Sequence, residues 1–361
     1  MTSLATIETR PAAAFRGRVL VVGNFLSGRG TVARQVCEEL AERLAATGVE
    51  TITTSSKTGR TERMIDMAAT AWKRRRDYDV AQVDVFSGRS FLWAEAVCAV
   101  ARMAGKPYIL TLHGGALPKF FAKWPRRATR LLRGAAAVTV PSGYLLEQLQ
   151  SYHDRLTLTP NAIEVGRYGY RQRTSPEATL VWLRSFHRIY NPELAPRVVA
   201  LLKDEFPDVR LTMTGPDKDG SLKSVKAEAW RLSVEDRIRY VGAIPKEQVP
   251  EAMAAGDIYL NTTNVDNMPV TLLEAMACGT CVVSTDVGGV PHIVTHEGNG
   301  LLAPACNAEA MAAAVRRLLI EKGLAGRISA AGRRTAEQYD WSAILPRWNE
   351  LFEQAIREAQ S

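Results

Sequence analysis

Short apolar runs alternate along this chain with stretches whose apolar residues recur every three or four positions, the signature of buried strands alternating with amphipathic helices. In the first half the runs Val19–Val22, Glu50–Thr54, Ala81–Phe86, Tyr108–Leu112, Ala135–Pro141 and Leu156–Asn161 read as strands, the last with its turn. Helices are expected between them. Val32, Val36, Leu40 and Leu44 share one helix face closed by Gly48, and Arg60–Arg76, Phe91–Ala104 and Ser142–Tyr152 follow. A second series then starts afresh, with strands at Thr179–Leu183, Val209–Thr214, Ile238–Val241 and Ile258–Leu260. Helices at Pro192–Leu202, Leu222–Leu232 and Gln248–Ala254 separate them. The end of the chain is helical: Ala308–Glu321, Leu324–Gln338 and Trp341–Ala359, with Ser342 in the N-cap region of the last. Two successive strand–helix series predict an α/β protein of two doubly wound, Rossmann-like domains facing across a cleft.

The clearest grammar lies between Asn261 and Pro291. A polar loop follows the strand at Ile258–Leu260, and Pro269 stands where a helix begins, because its fixed φ suits the first turn and its missing N–H costs nothing there. Leu272, Leu273, Met276 and Ala277 form the apolar stripe of a helix from Pro269 to Cys278, which Gly279 closes. Cys281–Thr285 is the next strand, and Gly288-Gly289-Val290-Pro291 reads as a loop opening a second helix. Two neighbouring helix N-termini would present free amides to an anion such as phosphate. Asp266 at the mouth of this crevice and Glu274 inside it suit a ligand with hydroxyls at both ends and phosphates between, which describes a nucleotide sugar.

At 361 residues the chain is long enough for two cores. The reading is of a loose tail at 1–16, a first domain at 17–165, a polar linker at 166–178, a second domain at 179–338, and a C-terminal helix at 339–361 that packs back on the first domain. No apolar run reaches membrane-spanning length, and the N-terminus lacks a signal-peptide core. Five cysteines without a disulfide framework point to a reducing cytoplasm. The net charge of +8 is unevenly placed: up to Arg173 there are 26 basic against 14 acidic residues, and after it 20 against 24. The first half should therefore meet something anionic.

Three features of that half are candidates. Gly28-Arg29-Gly30-Thr31-Val32-Ala33 formally fits a dinucleotide fingerprint, but the glycines lie well beyond the strand and no acidic residue ends the next one. Gly28, Arg29 and Gly30 are a candidate phosphate or acceptor loop, or simply a flexible one. His113-Gly114-Gly115 stands at the carboxyl end of a strand, where open α/β sheets bind ligands, so His113 is the histidine singled out for function. Between Leu117 and Gly134, Lys119, Lys123, Arg126, Arg127 and Arg130 occur with no acidic residue, interleaved with Phe120, Phe121, Trp124, Leu131 and Leu132. That is the composition of an interfacial membrane segment, with a surface helix packed on its own domain as the plain alternative. No nucleic-acid motif accompanies the charge.

RYVGAIPKEQVPEAMAAGDIYLNTT, DNMPVTLLEAMACGT, VVSTDVGGVPHIV and EGNGLLAP follow one another in the order and spacing of the family-4 glycosyltransferases, which this chain resembles over most of residues 18–355. The resemblance implies the two-domain architecture called GT-B and retaining transfer of a sugar from a nucleotide-diphosphate sugar, with no cofactor or metal. It implies that Glu274 holds the ribose hydroxyls and Asp266, where the family usually has glutamate, the hydroxyls of the donor sugar. The Val270 and Thr271 amides, behind Pro269, would take the pyrophosphate together with Arg184. A lysine usual in the family is absent, and Arg188 is its nearest substitute. His113 would contact the transferred sugar, and Ile244 and Lys246 would cradle the base, with Gly215 beside them. The resemblance further implies a glycan or lipid-linked acceptor in cell-surface polysaccharide, lipopolysaccharide or glycolipid synthesis, and a cytoplasmic protein seated on the inner face of the membrane.

Other readings stay open. A sugar-nucleotide epimerase or a non-catalytic nucleotide-sugar-binding protein would share the architecture. Cys278 and Cys281 formally make a C-x-x-C pair, but with no second pair a buried structural role is expected. His292 and His296 lack further ligands, and Trp230, Trp341 and Trp348 are expected to be packing residues.

Overall fold

The computed structural model describes residues 15–27 and 35–361. The candidate loop Gly28-Arg29-Gly30 and Val32 lie outside the described residues. Two compact units emerge: one holds the chain up to Val140, Gln148–Thr159 and Ser342–Ser361, the other Pro141–Glu147 and Pro160–Trp341.

The first unit is built on six parallel strands, β1 (Arg18–Val22), β2 (Glu50–Thr54), β3 (Val80–Val85), β4 (Tyr108–Leu112), β5 (Ala137–Val140) and β6 (Leu156–Leu158), ordered β2-β1-β3-β4-β5-β6. β4 is buried throughout, which is why it reads as an apolar run, interrupted only by Thr111, rather than an alternating one. β3 is less apolar. Its inward Gln82 donates through Nε2 to Asp84 and to the Thr111 hydroxyl of β4, both at 2.8 Å, while its Oε1 is buried without a hydrogen-bond partner among the described residues. The helix Trp341–Gln360 belongs to this unit from Ser342 onward: Phe352, fully buried, lies 5.6 Å from Phe15 and 5.7 Å from Trp348, ring to ring. Its start at Trp341 puts Ser342 inside the first turn instead of at the cap.

The second unit has β7 (Thr179–Leu183), β8 (Arg210–Thr214), β9 (Ile238–Gly242), β10 (Ile258–Asn261), β11 (Cys281–Thr285) and β12 (Leu301–Ala303), all parallel, in the order β12-β11-β10-β7-β8-β9. The chain runs outward from β7 to β9, then returns to lay β10 on the other side of β7. The direction of winding thus reverses between β7 and β10, and a crevice opens outside the carboxyl ends of strands at such a reversal.

Two expectations are corrected here. Residues 166–178, expected as a polar linker between domains, are part of the second unit. Arg173, 1% exposed, donates to Asp257 at 3.2 Å and to the carbonyls of Arg171, Ala254, Gly256 and Cys278. A buried guanidinium is tolerable only with such a full set of acceptors, and its polarity misled the reading of the sequence. The stretch after Gly289 is a single 3-10 turn, Val290–His292, not a second helix.

Candidate functional site

The loop after β10 leads into the helix Val270–Ala277, with Pro269 at its N-cap in extended conformation, one position earlier than expected. The amides of Val270 and Thr271, in the first turn of that helix, have no acceptor one turn earlier within it, and the helix dipole adds positive potential at the same point. Arg184 follows β7 across the winding reversal. It is ion-paired with Asp266, donates to the Thr271 hydroxyl at 3.2 Å, and lies 4.1 Å over the Tyr190 ring. Tyr259 of β10 donates to the same threonine hydroxyl at 2.9 Å. Burial is the largest influence and opposes the Arg184 charge, but Asp266, Tyr259 and Tyr190 together hold the guanidinium above its ordinary pKa. Arg184, 87 and 82 positions away in sequence, meets Thr271 and Asp266 at one helix N-terminus. Asp266, expected to hold the hydroxyls of the donor sugar, is engaged here by Arg184.

Glu274 lies in the second turn of the helix and is 7% exposed. Burial pushes its carboxyl up; a hydrogen bond from Tyr168 and the charges of Lys246, Arg184 and Arg167 pull the other way without prevailing. The Tyr168 hydroxyl is 2.9 Å from Glu274 Oε1. Lys246 stands in the short turn Lys246–Gln248 after β9, and Ile244 just before it is half-buried. Gly215 ends β8 so close to β7 that a Cβ would sit 1.8 Å from the Arg184 carbonyl oxygen, and its amide donates to Gly242 at 2.7 Å. It shapes the strand ends that carry Arg184 and the loop of Ile244 and Lys246.

The glycine pair has a different use from the expected second helix N-terminus. A Cβ on Gly288 would lie 2.1 Å from the Asp266 carbonyl oxygen, and one on Gly289 1.6 Å from that of Asn267. Gly289 donates its amide to Asp266 at 2.9 Å. Both glycines therefore let the turn after β11 press against the loop that carries Asp266.

Arg188 does not join this cluster. Its side chain is 84% exposed and pairs with Asp219 at 3.3 Å. Cys278 and Cys281 are buried thiols, pushed up by burial to about 11 and about 12, and among the described residues no group of three ligating side chains could hold a metal. His292 pairs with Glu147 at 3.8 Å and His296 is exposed. Trp341 and Trp348 are packed as expected, whereas Trp230 is 74% exposed, because the helix Ser221–Arg231 turns that side away from its buried Val225 and Ala229.

In the first unit His113, 8% exposed, follows β4 and is 2.9 Å from Asp84 Oδ1 through Nε2. Its ring stacks on Phe86 at 5.1 Å. Gly114 has φ 90°, a turn that carries the backbone away just past the imidazole. Two short helices follow, Leu117–Lys123 and Pro125–Arg133. Leu117, Phe121, Ala128, Leu131 and Leu132 are buried in the unit, so this segment is a packed surface element rather than a free interfacial helix. Lys119, Lys123, Arg126 and Arg130 remain exposed, with Trp124 44% exposed among them. Arg127 is engaged by Glu95 at 3.0 Å.

Asp84, Tyr168 and Tyr259 are the residues that sequence reasoning missed. Asp84 carried a weak signal, as a carboxylate inside a buried strand. Neither tyrosine carried one.

Residues 172–335 match the family model described as glycosyl transferases group 1, and residues 32–167 the one described as glycosyltransferase family 4. A protein of Streptomyces bingchenggensis named D-inositol 3-phosphate glycosyltransferase is 27% identical over 173 residues, 46% of this chain and 38% of that protein. The chain spans about two fifths of the length of the first such curated relatives. Among solved structures, HepE of Anabaena in complex with UDP has a TM-score of 0.75 at 16% identity, covering 93% of this chain and 99% of that one. Sucrose-phosphate synthase of Thermosynechococcus elongatus has a TM-score of 0.77 at 19% identity, covering 95% and 100%. Both share the fold with this chain.

Proposed function

The chain belongs to the family-4 glycosyltransferases, and we propose that it moves a sugar from a nucleotide-diphosphate sugar to a glycan or lipid-linked acceptor, retaining the anomeric configuration and using no metal. The observation that carries this reading is the convergence of Arg184, Thr271 and the first-turn amides of one helix beside a buried carboxylate, Glu274. The UDP bound by HepE of Anabaena supports the donor class.

As the bond from sugar to diphosphate breaks, negative charge gathers on the leaving group. Arg184 and the helix N-terminus then stabilise the transition state more than the ground state. Asp266 releases Arg184 to the pyrophosphate or shares it with the sugar hydroxyls. Glu274, ionised, accepts from the ribose. His113, oriented by Asp84, meets the transferred sugar, and the departing phosphate takes the acceptor's proton, so no nucleophilic carboxylate is required. The exposed cations of the first unit draw an anionic, membrane-borne acceptor. The synthesis of cell-surface glycans or glycolipids is the setting that fits, and the inner face of the membrane the place.

A thermal-shift screen of UDP, GDP, ADP and CDP identifies the base, because a ligand that binds only the folded state raises its apparent stability. Transfer and slow donor hydrolysis measured with the matching sugar nucleotides then test the chemistry. Glu274→Ala should lower transfer by about tenfold or more, a loss of about 1.4 kcal/mol. Activity within about threefold of wild type would sink the ribose assignment. Binding without transfer or hydrolysis would mark a nucleotide-sugar-binding protein, and isomerisation of the donor an epimerase.

A further inference from the structure

Glu274 is a costly residue where it stands. It is 7% exposed, and a hydrogen bond reaches its carboxylate from the Tyr168 hydroxyl, at 2.9 Å to Oε1. If the pair served stability alone, a glutamine would accept the same bond without burying a charge. Tyr168 is itself fixed in place. It is 7% exposed, its amide donates to Val165 at 3.1 Å, and Val165 donates to Asp340 at 2.8 Å.

We propose that Tyr168 is a positioning residue for the nucleoside: its hydroxyl ties down Oε1 of Glu274 and leaves Oε2 as the acceptor for the ribose hydroxyls. The inference rests on the nucleotide-sugar reading of the site and deepens it. Tyr168 can act only as a donor toward that carboxylate, because burial and the adjacent negative charge of Glu274 raise its phenol far above its ordinary range. Tyr168 acts on Glu274 through its hydrogen bond, the charges of Lys246, Arg184 and Arg167 reach it, and Tyr259 and Cys278 are further titratable neighbours.

The test compares nucleoside diphosphates (UDP, GDP and ADP) with their 2′,3′-dideoxy forms on the full chain, by calorimetry. Tyr168→Phe keeps the ring in the core and should weaken the ribonucleotide about five- to tenfold, as loss of a hydrogen bond to a charged group does, while leaving the dideoxy form unchanged. Glu274→Gln should show the same ribose-specific loss, and the double variant should lose no more than Glu274→Gln alone. Replacing Tyr168 by 3-fluorotyrosine keeps the shape and strengthens the donor, so ribose-specific binding should persist to lower pH, whereas Tyr168→Phe should lose it at higher pH than wild type. If Glu274→Gln loses ribose discrimination while Tyr168→Phe and the fluorinated chain behave as wild type, this inference is overturned and the donor reading stands. If Glu274→Gln also discriminates as wild type does, the ribose assignment falls with it.

Discussion

Two arginines four positions apart in the sequence stand in different surroundings in space. Arg184 is largely buried against Asp266, Thr271 and Tyr190, while Arg188 is mostly in water beside Asp219. An exposed ion pair contributes little, whereas a desolvated cation aimed at a phosphate site contributes much. Arg184→Ala should therefore weaken nucleoside diphosphate binding about tenfold or more, and Arg188→Ala by less than about twofold, on a scale where tenfold is about 1.4 kcal/mol. Equal losses by calorimetry would return Arg188 to the site.

Glu274 offers a second prediction at this scale. Its carboxyl is raised in the folded state, so the folded chain takes up a proton more readily than the unfolded one. The stability this lends is present at acid pH and is lost as the pH rises through the folded value. Glu274→Gln should thus melt higher than wild type at neutral pH without ligand, with the difference shrinking as the pH falls. Each kcal/mol regained is worth about 2–4 °C. A variant that melts lower at neutral pH would contradict the burial argument.

Among the elements, the helix Val270–Ala277 matters most, and what sets its position is the pair of turns around it. The turn after β11 is pressed on the loop carrying Asp266, with no room for a side chain on Gly289. Gly289 has φ −83°, so Gly289→Ala has no dihedral penalty and its effect is purely steric. It should cost about 2 kcal/mol or more in stability and displace Asp266, as overpacking does. Denaturant unfolding checks the first outcome and nucleotide affinity the second. The expected second helix failed for a related reason. From Val290 the chain must reach β12 at Leu301, and only the turn Val290–His292 intervenes before the bend at His296–Gly300. β12, three residues long, is not among the strands read from the sequence.

At the scale of the molecule, the excess of positive charge in the first half becomes a set of exposed cations on two packed helices. Neutralising Lys119, Lys123, Arg126 and Arg130 should weaken binding to liposomes containing anionic lipid, by about 1 kcal/mol per charge near the surface, and added salt should do the same. Arg127→Gln should have little effect on binding, because Glu95 already holds that guanidinium. Cosedimentation that ignores both salt and substitution would remove membrane contact from the picture.

The sequence by itself determined the two strand–helix series, most strand positions, and the importance of the stretch from Asn261 to Pro291. Those depend on local periodicity, proline and glycine, which act over a few residues. It also placed His113, Arg184 and Glu274 at strand ends and in a helix. The three-dimensional arrangement alone decided which groups meet. Tyr168 reaches Glu274 across 106 positions, Arg184 reaches Asp266 across 82, and His113 reaches Asp84 across 29. No local pattern encodes those pairings, since they follow from the order of strands in the sheets. The winding reversal between β7 and β10 sets Arg184 beside the helix that bears Thr271 and Glu274, and that order exists only once the sheet has formed.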